Sequence, residues 1–390
     1  MIHYDIGNNK SCYLYHKLFN NLFDRRYILI KTINKHISLT ILIVAVIMTT
    51  LLCTSCKGKE KEIAFITNMG PAMDHSYNQA IWDGVLEYSK KNKKNCQAYE
   101  PEAPSPKAYE TAMEQAIDNG AKIVIASDYL FQQPVFHLQS KYPNVKFILL
   151  NAQSQDENGK ISYQPNTLSV TFKEEQIGFL AGYMAVKDGY RKLGFMGGMQ
   201  IPSIIRNGYG FSQGAEYAAK ELKLEKGEVS IHYTHLQNFD DTEGNISIAK
   251  EWYHSDGVEV IYACSGNAIQ SIVKATSAKK GKVIGYHIDQ SNLSKTVVSS
   301  VVKNYSKTVY DAIVSCYDNT FKGGINKELG IKENGVGILF DKTSFQNTTK
   351  QDYDPVMESL KNNRIKLYRE QDKKEVTNIP FEWVTIIPIK

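Results

Sequence analysis

Two histidines three residues apart, His232 and His235, and two adjacent carboxylates, Asp240 and Asp241, are side chains that could share a metal ion. Each pair has a plainer reading: the histidines as a solvated strand end, the carboxylates as a turn leading into a helix cap. Patterns for covalent or phosphate chemistry are absent, with no phosphate-cradling loop, no Gly-x-Ser-x-Gly elbow and no His-Glu-x-x-His helix. Gly208, Gly210 and Gly214 fall one residue off the dinucleotide fingerprint and do not directly follow a strand, which makes them helix-packing positions. What recurs is a mixture of aromatic, amide and small residues just after short apolar runs. It occurs at 68–77, 127–129, Asn151, 197–202, 239–244, 265–267 and 287–291. Rings offer flat faces and amides offer directional hydrogen bonds, which describes recognition of a planar polar molecule. No catalytic residue, metal or cofactor is expected.

The elements that must position these residues are legible as an alternation. Apolar runs at 63–67, 122–126, 146–150, 167–172, 192–196, 228–234, 258–263 and 282–286 read as strands. Between them lie helical stretches at 76–92, capped by Ser76, and at 109–119, 208–222, 243–254, 268–278 and 306–320, with another carrying Gly178 and Gly182. Continuous apolar strands separated by helices imply parallel sheets covered on both faces. Ligands of such sheets bind beyond the carboxyl ends of the strands, which is where the recurring residues fall. Two such series predict two α/β lobes.

The amino terminus has a different character. Arg25, Arg26, Lys31 and Lys35 precede a sixteen-residue apolar run, Ile37 to Leu52, which ends in Cys-Thr-Ser-Cys. Charge, apolar core and small residues form a secretory signal, and Cys56 after Thr54 and Ser55 is placed for lipidation. An uncleaved anchor helix is the other reading. Residues 1–55 are thus expected to be a signal peptide and 56–62 a linker. The remaining 335 residues exceed what one core usually serves. They carry 40 basic and 39 acidic side chains, so the net charge of +5 belongs mostly to the leader and gives no argument for nucleic acid. Cys96, Cys264 and Cys316 are too scattered for a disulfide framework.

From Ile63 the chain reads IAFITNMGPAMDHSYNQAIWDG, which resembles the opening motif of the basic membrane protein family, a group that includes purine-nucleoside receptor lipoproteins. Asp74, Ser76, Asn78, Gln79, Trp82 and Gly84 match that motif. Further echoes are IGFLAGYMA at 177–185, GFMGGMQIP at 194–202, YGFSQGAEYA at 209–218, IGYHIDQS at 284–291 and VVSSVVK at 297–303.

The resemblance implies a two-lobed class I periplasmic-binding-protein fold, two doubly wound parallel sheets joined by a three-strand hinge. Its first lobe would comprise 63–168 plus about 290–325, its second 169–289 plus about 326–390. It also implies a nucleoside ligand, an ABC permease as partner, and a monomer held to the membrane by its lipid, facing the periplasm or cell exterior. Tyr77, usually Phe, and Phe239 would sandwich the base. Asn68 and Asn151, each usually Asp, Asn78, and Asp289 with His287, usually both Asp, would read base and ribose together with Lys303. Ser265 and Gly266 would approach the sugar. Trp82 is expected to pack the lobe.

Amides donate where carboxylates only accept, so oxo-nucleosides are expected to bind at least as well as adenosine, and His287 to titrate near neutrality. The rival readings are a receptor of the same fold for a sugar or signalling ligand, an enzyme cleaving glycosidic bonds in the cleft, and a surface adhesin.

Overall fold

The computed structural model describes residues 61–68, 70–73, 77–276 and 281–389, together with Lys31. The signal segment, Cys56, most of the linker, Asp74 and Ser76 lie outside the described residues. Residues 61–390 form one compact unit.

The strands are β1 (Ile63–Ile66), β2 (Cys96–Tyr99), β3 (Ile123–Ser127), β4 (Lys146–Leu150), β5 (Thr167–Phe172), β6 (Lys192–Gly197), β7 (Val229–His235), β8 (Val260–Cys264), β9 (Lys282–His287), β10 (Val297–Lys303), β11 (Ile325–Leu329), β12 (Val336–Ile338) and β13 (Val384–Pro388). The helices are α1 (Tyr77–Asn92), α2 (Pro106–Asp118), α3 (Gln132–Lys141), α4 (Glu174–Lys187), α5 (Pro202–Glu221), α6 (Glu243–Glu251), α7 (Ile269–Ala275), α8 (Tyr305–Tyr317) and α9 (Lys350–Lys361).

Two sheets result, ordered β11-β5-β4-β3-β1-β2 and β12-β10-β9-β8-β6-β7-β13. Every pairing is parallel except that of β10 with β12. Alternation along each strand feeds two cores per sheet. In β1, Ile63 and Phe65 enter one cluster while Ala64 and Ile66 enter another with Tyr109, Met113 and Phe131. In the second sheet Phe195 and Tyr262 lie on one side, Met196 and Ile261 on the other, against Trp252.

The chain passes between lobes three times. β5 belongs to the first sheet and leads into α4, which packs on α5 beside the second sheet. β10 belongs to the second sheet and leads into α8, which lies on α1: Tyr88 meets Tyr310 and Tyr317 at ring centroids 5.6 and 5.5 Å apart. β11 then pairs with β5, and β12 with β10. Val297–Lys303 was expected with the first lobe; its pairing with β9 puts it in the second. A strand's sheet is decided by tertiary pairing, which an apolar run does not encode.

Gly210 and Gly214 of α5 do pack helices, as do Gly178 and Gly182 of α4, whereas Gly208 meets Tyr233 and Phe195 of the sheet. A Cβ on Gly178 or Gly182 would collide with the backbone carbonyl of Asn207 or Phe211, and one on Gly210 or Gly214 with that of Glu175 or Phe179. α4 and α5 therefore touch backbone to backbone, which makes the region between the crossovers and the second sheet stiff. Trp82 stacks on Phe65 at 6.2 Å, a packing position.

Candidate functional site

The carboxyl ends of the central strands form two rows. In the first sheet they carry Asn151 after β4, Ser127 and Asp128 at β3, and Asn68 after β1. In the second they carry Lys303 on β10, His287 on β9, Ser265 after β8, Gly198 after β6 and, four residues beyond β7, Phe239.

Asn151 and Ser127 of the first row are joined to Lys303 of the second by a hydrogen-bond network that runs through two tyrosine hydroxyls. Asn151 Nδ2 donates to the hydroxyls of Tyr77 at 2.6 Å and Tyr305 at 2.8 Å. Its Oδ1 accepts from Lys303 Nζ at 3.0 Å. Lys303 has only donors, so it fixes which end of the amide faces it. The Tyr77 hydroxyl also shares a hydrogen bond with Ser127 Oγ. Asn151 is held with φ of 58°, a conformation asparagine tolerates better than most residues.

Lys303 is buried, and its ammonium is matched by Glu174 Oε1 at 2.8 Å. It also sits 5.1 Å from the Phe172 ring centroid and 5.6 Å from that of Tyr286. Glu174 in turn receives Arg206 at 3.2 Å, and Arg206 reaches Glu370 at 2.8 Å. Beside it Arg369 pairs with Glu175 and, at 2.9 Å, with Glu328. The segment carrying Arg369 and Glu370 is thereby strapped over the crossovers of β5 and β11.

His287 stacks on Tyr77 at 5.1 Å and 10° and on Tyr286 at 4.7 Å and 4°, so three rings run across the lobes. Its φ is 63°. Burial, with the Lys303 charge second, pulls its pKa down to about 3. His287 was expected to titrate near neutrality; enclosed between rings and beside a cation, it stays uncharged there. Burial and then the Asp128 charge push the Tyr77 phenol up.

Asn68 and Asn78 support the wall. Asn78 is buried, its Oδ1 accepting from Asn68 N at 3.4 Å. Asn68 O accepts from the Tyr109 hydroxyl, while Asn68 Nδ2 lies 3.4 Å from Asp128 Oδ2. Asp128 has φ of 97° and ψ of 165°. Glycine alone occupies that region with ease, and other residues hold it at a cost of about 1–3 kcal/mol. Burial pushes its carboxyl pKa up, against the Tyr129 backbone N–H and the Lys303 charge.

Phe239, Ser265 and Gly266 form a second, sparser group. A Cβ on Gly198 would strike the Phe239 ring, and one on Gly266 would come within 3.2 Å of it, so the ring lies over bare backbone. Gly266 has φ of 56°. Ser265 is fully buried, and its hydroxyl has no hydrogen-bond partner among the described residues. Asp289 is engaged elsewhere. Its carboxylate takes Lys342 Nζ at 2.8 Å and the Ser291 hydroxyl at 2.7 Å. Although partial burial works against it, these donors hold its pKa below the ordinary value.

The metal readings fail on geometry. His232 and His235 are separated by an odd number of residues on β7 and so face opposite sides of the sheet. Neither is solvated as expected: His232 is buried against Trp252 and lies 3.4 Å from Asp256, and burial lowers His235 to about 4. Asp241 pairs with Lys274 and Ser271, and Thr242 caps α6. Among the described residues no cluster of three or more acidic, histidine or cysteine side chains could hold a metal, and no helix is long and apolar enough to cross a membrane.

A family model described as ABC transporter substrate-binding protein PnrA-like matches residues 61–371. The chain belongs to this family. It is 27% identical over 310 residues to Basic membrane protein A1 of Borrelia garinii subsp. bavariensis, covering 76% of this chain and 87% of that one. It is likewise 27% identical over 313 residues to the ABC transporter nucleoside-binding protein BmpA of Lactococcus lactis subsp. cremoris, covering 75% and 85%. Among solved structures it resembles an ABC transporter solute-binding protein from Aeropyrum pernix, with TM-score 0.68, 19% identity and coverage of 82% and 96%. A second, from Conexibacter woesei, has TM-score 0.64, 18% identity and coverage of 79% and 99%. These structural likenesses establish the periplasmic-binding-protein-like fold.

Some site residues carry little local sequence signal. Asp128 falls within the exit at 127–129, but nothing local singles out its carboxylate. Glu174 and Glu175 look like ordinary first-turn acids, and their signal is that the helix they open is apolar on every face and therefore buried throughout.

Proposed function

We propose that this substrate-binding protein is a lipid-anchored extracytoplasmic receptor that delivers nucleosides to an ABC permease and performs no covalent chemistry. The observation that carries the reading is the pairing of a ring and an unsatisfied hydroxyl at strand exits of the second sheet. Phe239 lies over Gly198 and Gly266 while the buried Ser265 hydroxyl beside it has no protein partner. A nucleoside needs one flat face for its base and polar contacts for its ribose, and a buried hydroxyl without a partner is costly unless a ligand supplies one. The relative named as nucleoside-binding in Lactococcus lactis supports the same ligand class. In this reading Asn68, Tyr77, Asn78 and Asn151 present the opposite wall, and His287 and Lys303 tie the walls together when the lobes close by hinge motion. Cys56 would hold the monomer at the membrane.

Calorimetry of the purified chain against inosine, guanosine, adenosine and uridine tests the ligand. Saturable binding of at least one is expected, with the oxo-nucleosides no weaker than adenosine. Heat from sugars and from none of the nucleosides would move the assignment to another small-molecule receptor of this fold. Fatty-acid labelling of wild type beside Cys56→Ala tests the anchor, with label expected on the wild type alone.

A further inference from the structure

The family resemblance implies carboxylates at the positions of Asn68 and Asn151, where this chain carries amides. Asn151 has also been drawn into the protein's own network: both N–H groups go to tyrosine hydroxyls and its oxygen to Lys303. It has no donor left for a ligand. The neighbouring exit in the same sheet, after β3, carries the carboxylate of Asp128. We propose that Asp128 is the acidic reader of this site, accepting an N–H of the ligand's heterocycle on Oδ2 while Asn68 Nδ2 donates to the adjacent carbonyl oxygen or ring nitrogen. This rests on the nucleoside reading above and names the residue that selects among nucleosides.

Three observations converge on Asp128. The first is its place: β3 pairs with β4 and with β1, so Asp128 stands between Asn151 and Asn68 in the row of strand ends. The second is its coordination. Oδ1 is satisfied by the Tyr129 N–H at 2.6 Å, whereas among the described residues Oδ2 has only the Asn68 amide at 3.4 Å, the limit of a hydrogen bond. One carboxylate oxygen is anchored and the other is under-used beside a donor that is equally under-used. The Asn68 backbone is meanwhile fixed by Asn78 and Tyr109, which leaves its side chain as the variable part. The third is the backbone. A residue with a side chain occupies a conformation suited to glycine, and strain of this kind is retained where the side chain has work to do.

A carboxylate acceptor next to an amide donor complements a heterocyclic edge on which an N–H adjoins a carbonyl or a ring nitrogen. Inosine isolates this chemistry, because the only N–H on its base is at N1 and 1-methylinosine lacks it. Calorimetry with both nucleosides on wild type, Asp128→Asn and Asp128→Gly, together with melting curves of the unliganded proteins, tests the assignment. Wild type is expected to prefer inosine about 10- to 100-fold, the range for a hydrogen bond to a charged group. Both variants are expected to lose most of that preference, and Asp128→Gly is expected to melt higher than wild type as the strained backbone relaxes. Variants that keep the preference while wild type binds inosine would overturn the role of Asp128 and leave the nucleoside reading standing. A lower melting temperature for Asp128→Gly with the preference intact would mark the carboxylate as a turn cap only. Wild type binding none of the nucleosides would remove the nucleoside reading, and the assignment with it.

Discussion

The strand exits of the two sheets are built differently. In the first sheet Ser127, Asn151 and the adjoining Tyr77 and Tyr305 satisfy one another, and Lys303 enters from β10 to complete the set. In the second sheet the Phe239 ring lies over the backbone of Gly198 and Gly266, and the buried Ser265 hydroxyl goes without a partner among the described residues. The first arrangement spends its polar groups on rigidity, apart from Asp128 Oδ2 and Asn68 Nδ2, which stand beside it under-used. The second leaves them for something the protein does not supply. A receptor benefits from both, since a wall whose rotamers are locked loses little entropy when a ligand docks on it, while specificity needs groups that only the ligand completes.

This contrast predicts that substitutions in the two rows separate stability from affinity. The largest effect is expected at Asn151. Asn151→Ala removes the partner of two tyrosine hydroxyls and one of two partners of a buried ammonium, and it places alanine at positive φ. Unfolding in urea should show a loss of about 3 kcal/mol or more, with unsatisfied buried groups at about 1–3 kcal/mol each. A loss below about 1 kcal/mol would mean that the network is not a brace. Next comes Phe239→Ala, expected to weaken nucleoside binding by about 1–3 kcal/mol, the range for a base on an aromatic ring, with little change in the melting temperature of the unliganded protein. Unfolding without a change in affinity would make Phe239 a core residue and erase the contrast.

The smallest effect concerns acid. Folding lowers the His287 pKa from 6.5 to about 3, so the unfolded chain takes up that proton first. His287 therefore adds no pH dependence above about 6.5, and its contribution to stability is lost progressively as pH falls toward about 3. His235, lowered to about 4, acts in the same direction. Imidazole resonances followed by NMR should show His287 still neutral at pH 5; a midpoint near 6.5 would place it in solvent and open the ring stack between the lobes.

Much of the frame was legible because buried parallel strands announce themselves as unbroken apolar runs: β1, β3, β4, β6, β8 and β9 fall where hydrophobicity alone puts them. The edge strands β2, β11 and β13 did not, since half-exposed stretches such as Cys96–Tyr99 and Ile325–Leu329 carry no uniform pattern. α5 begins at Pro202, six residues before the helix expected at Gly208, because proline at the first turn and glycine inside mimic a loop in sequence. At the site, ring and amide positions could be nominated from strand exits and family motif. What Asn151 does there could not, because the hydroxyls and ammonium that occupy it come from residues 77, 303 and 305. Lys303 and Glu174 lie 129 residues apart, and no local pattern joins them.

The most direct measurement pairs the melting temperature of the unliganded protein with the nucleoside dissociation constant for Ser265→Ala. The hydroxyl has no partner in the protein, so its removal should leave the melting temperature unchanged or slightly higher. Affinity should fall about two- to tenfold, the worth of one hydrogen bond of about 0.5–1.5 kcal/mol made only with the ligand. The contrary result is a clear drop in melting temperature with affinity intact, which would place the Ser265 hydroxyl in the protein's own structure and leave the second row no more open than the first.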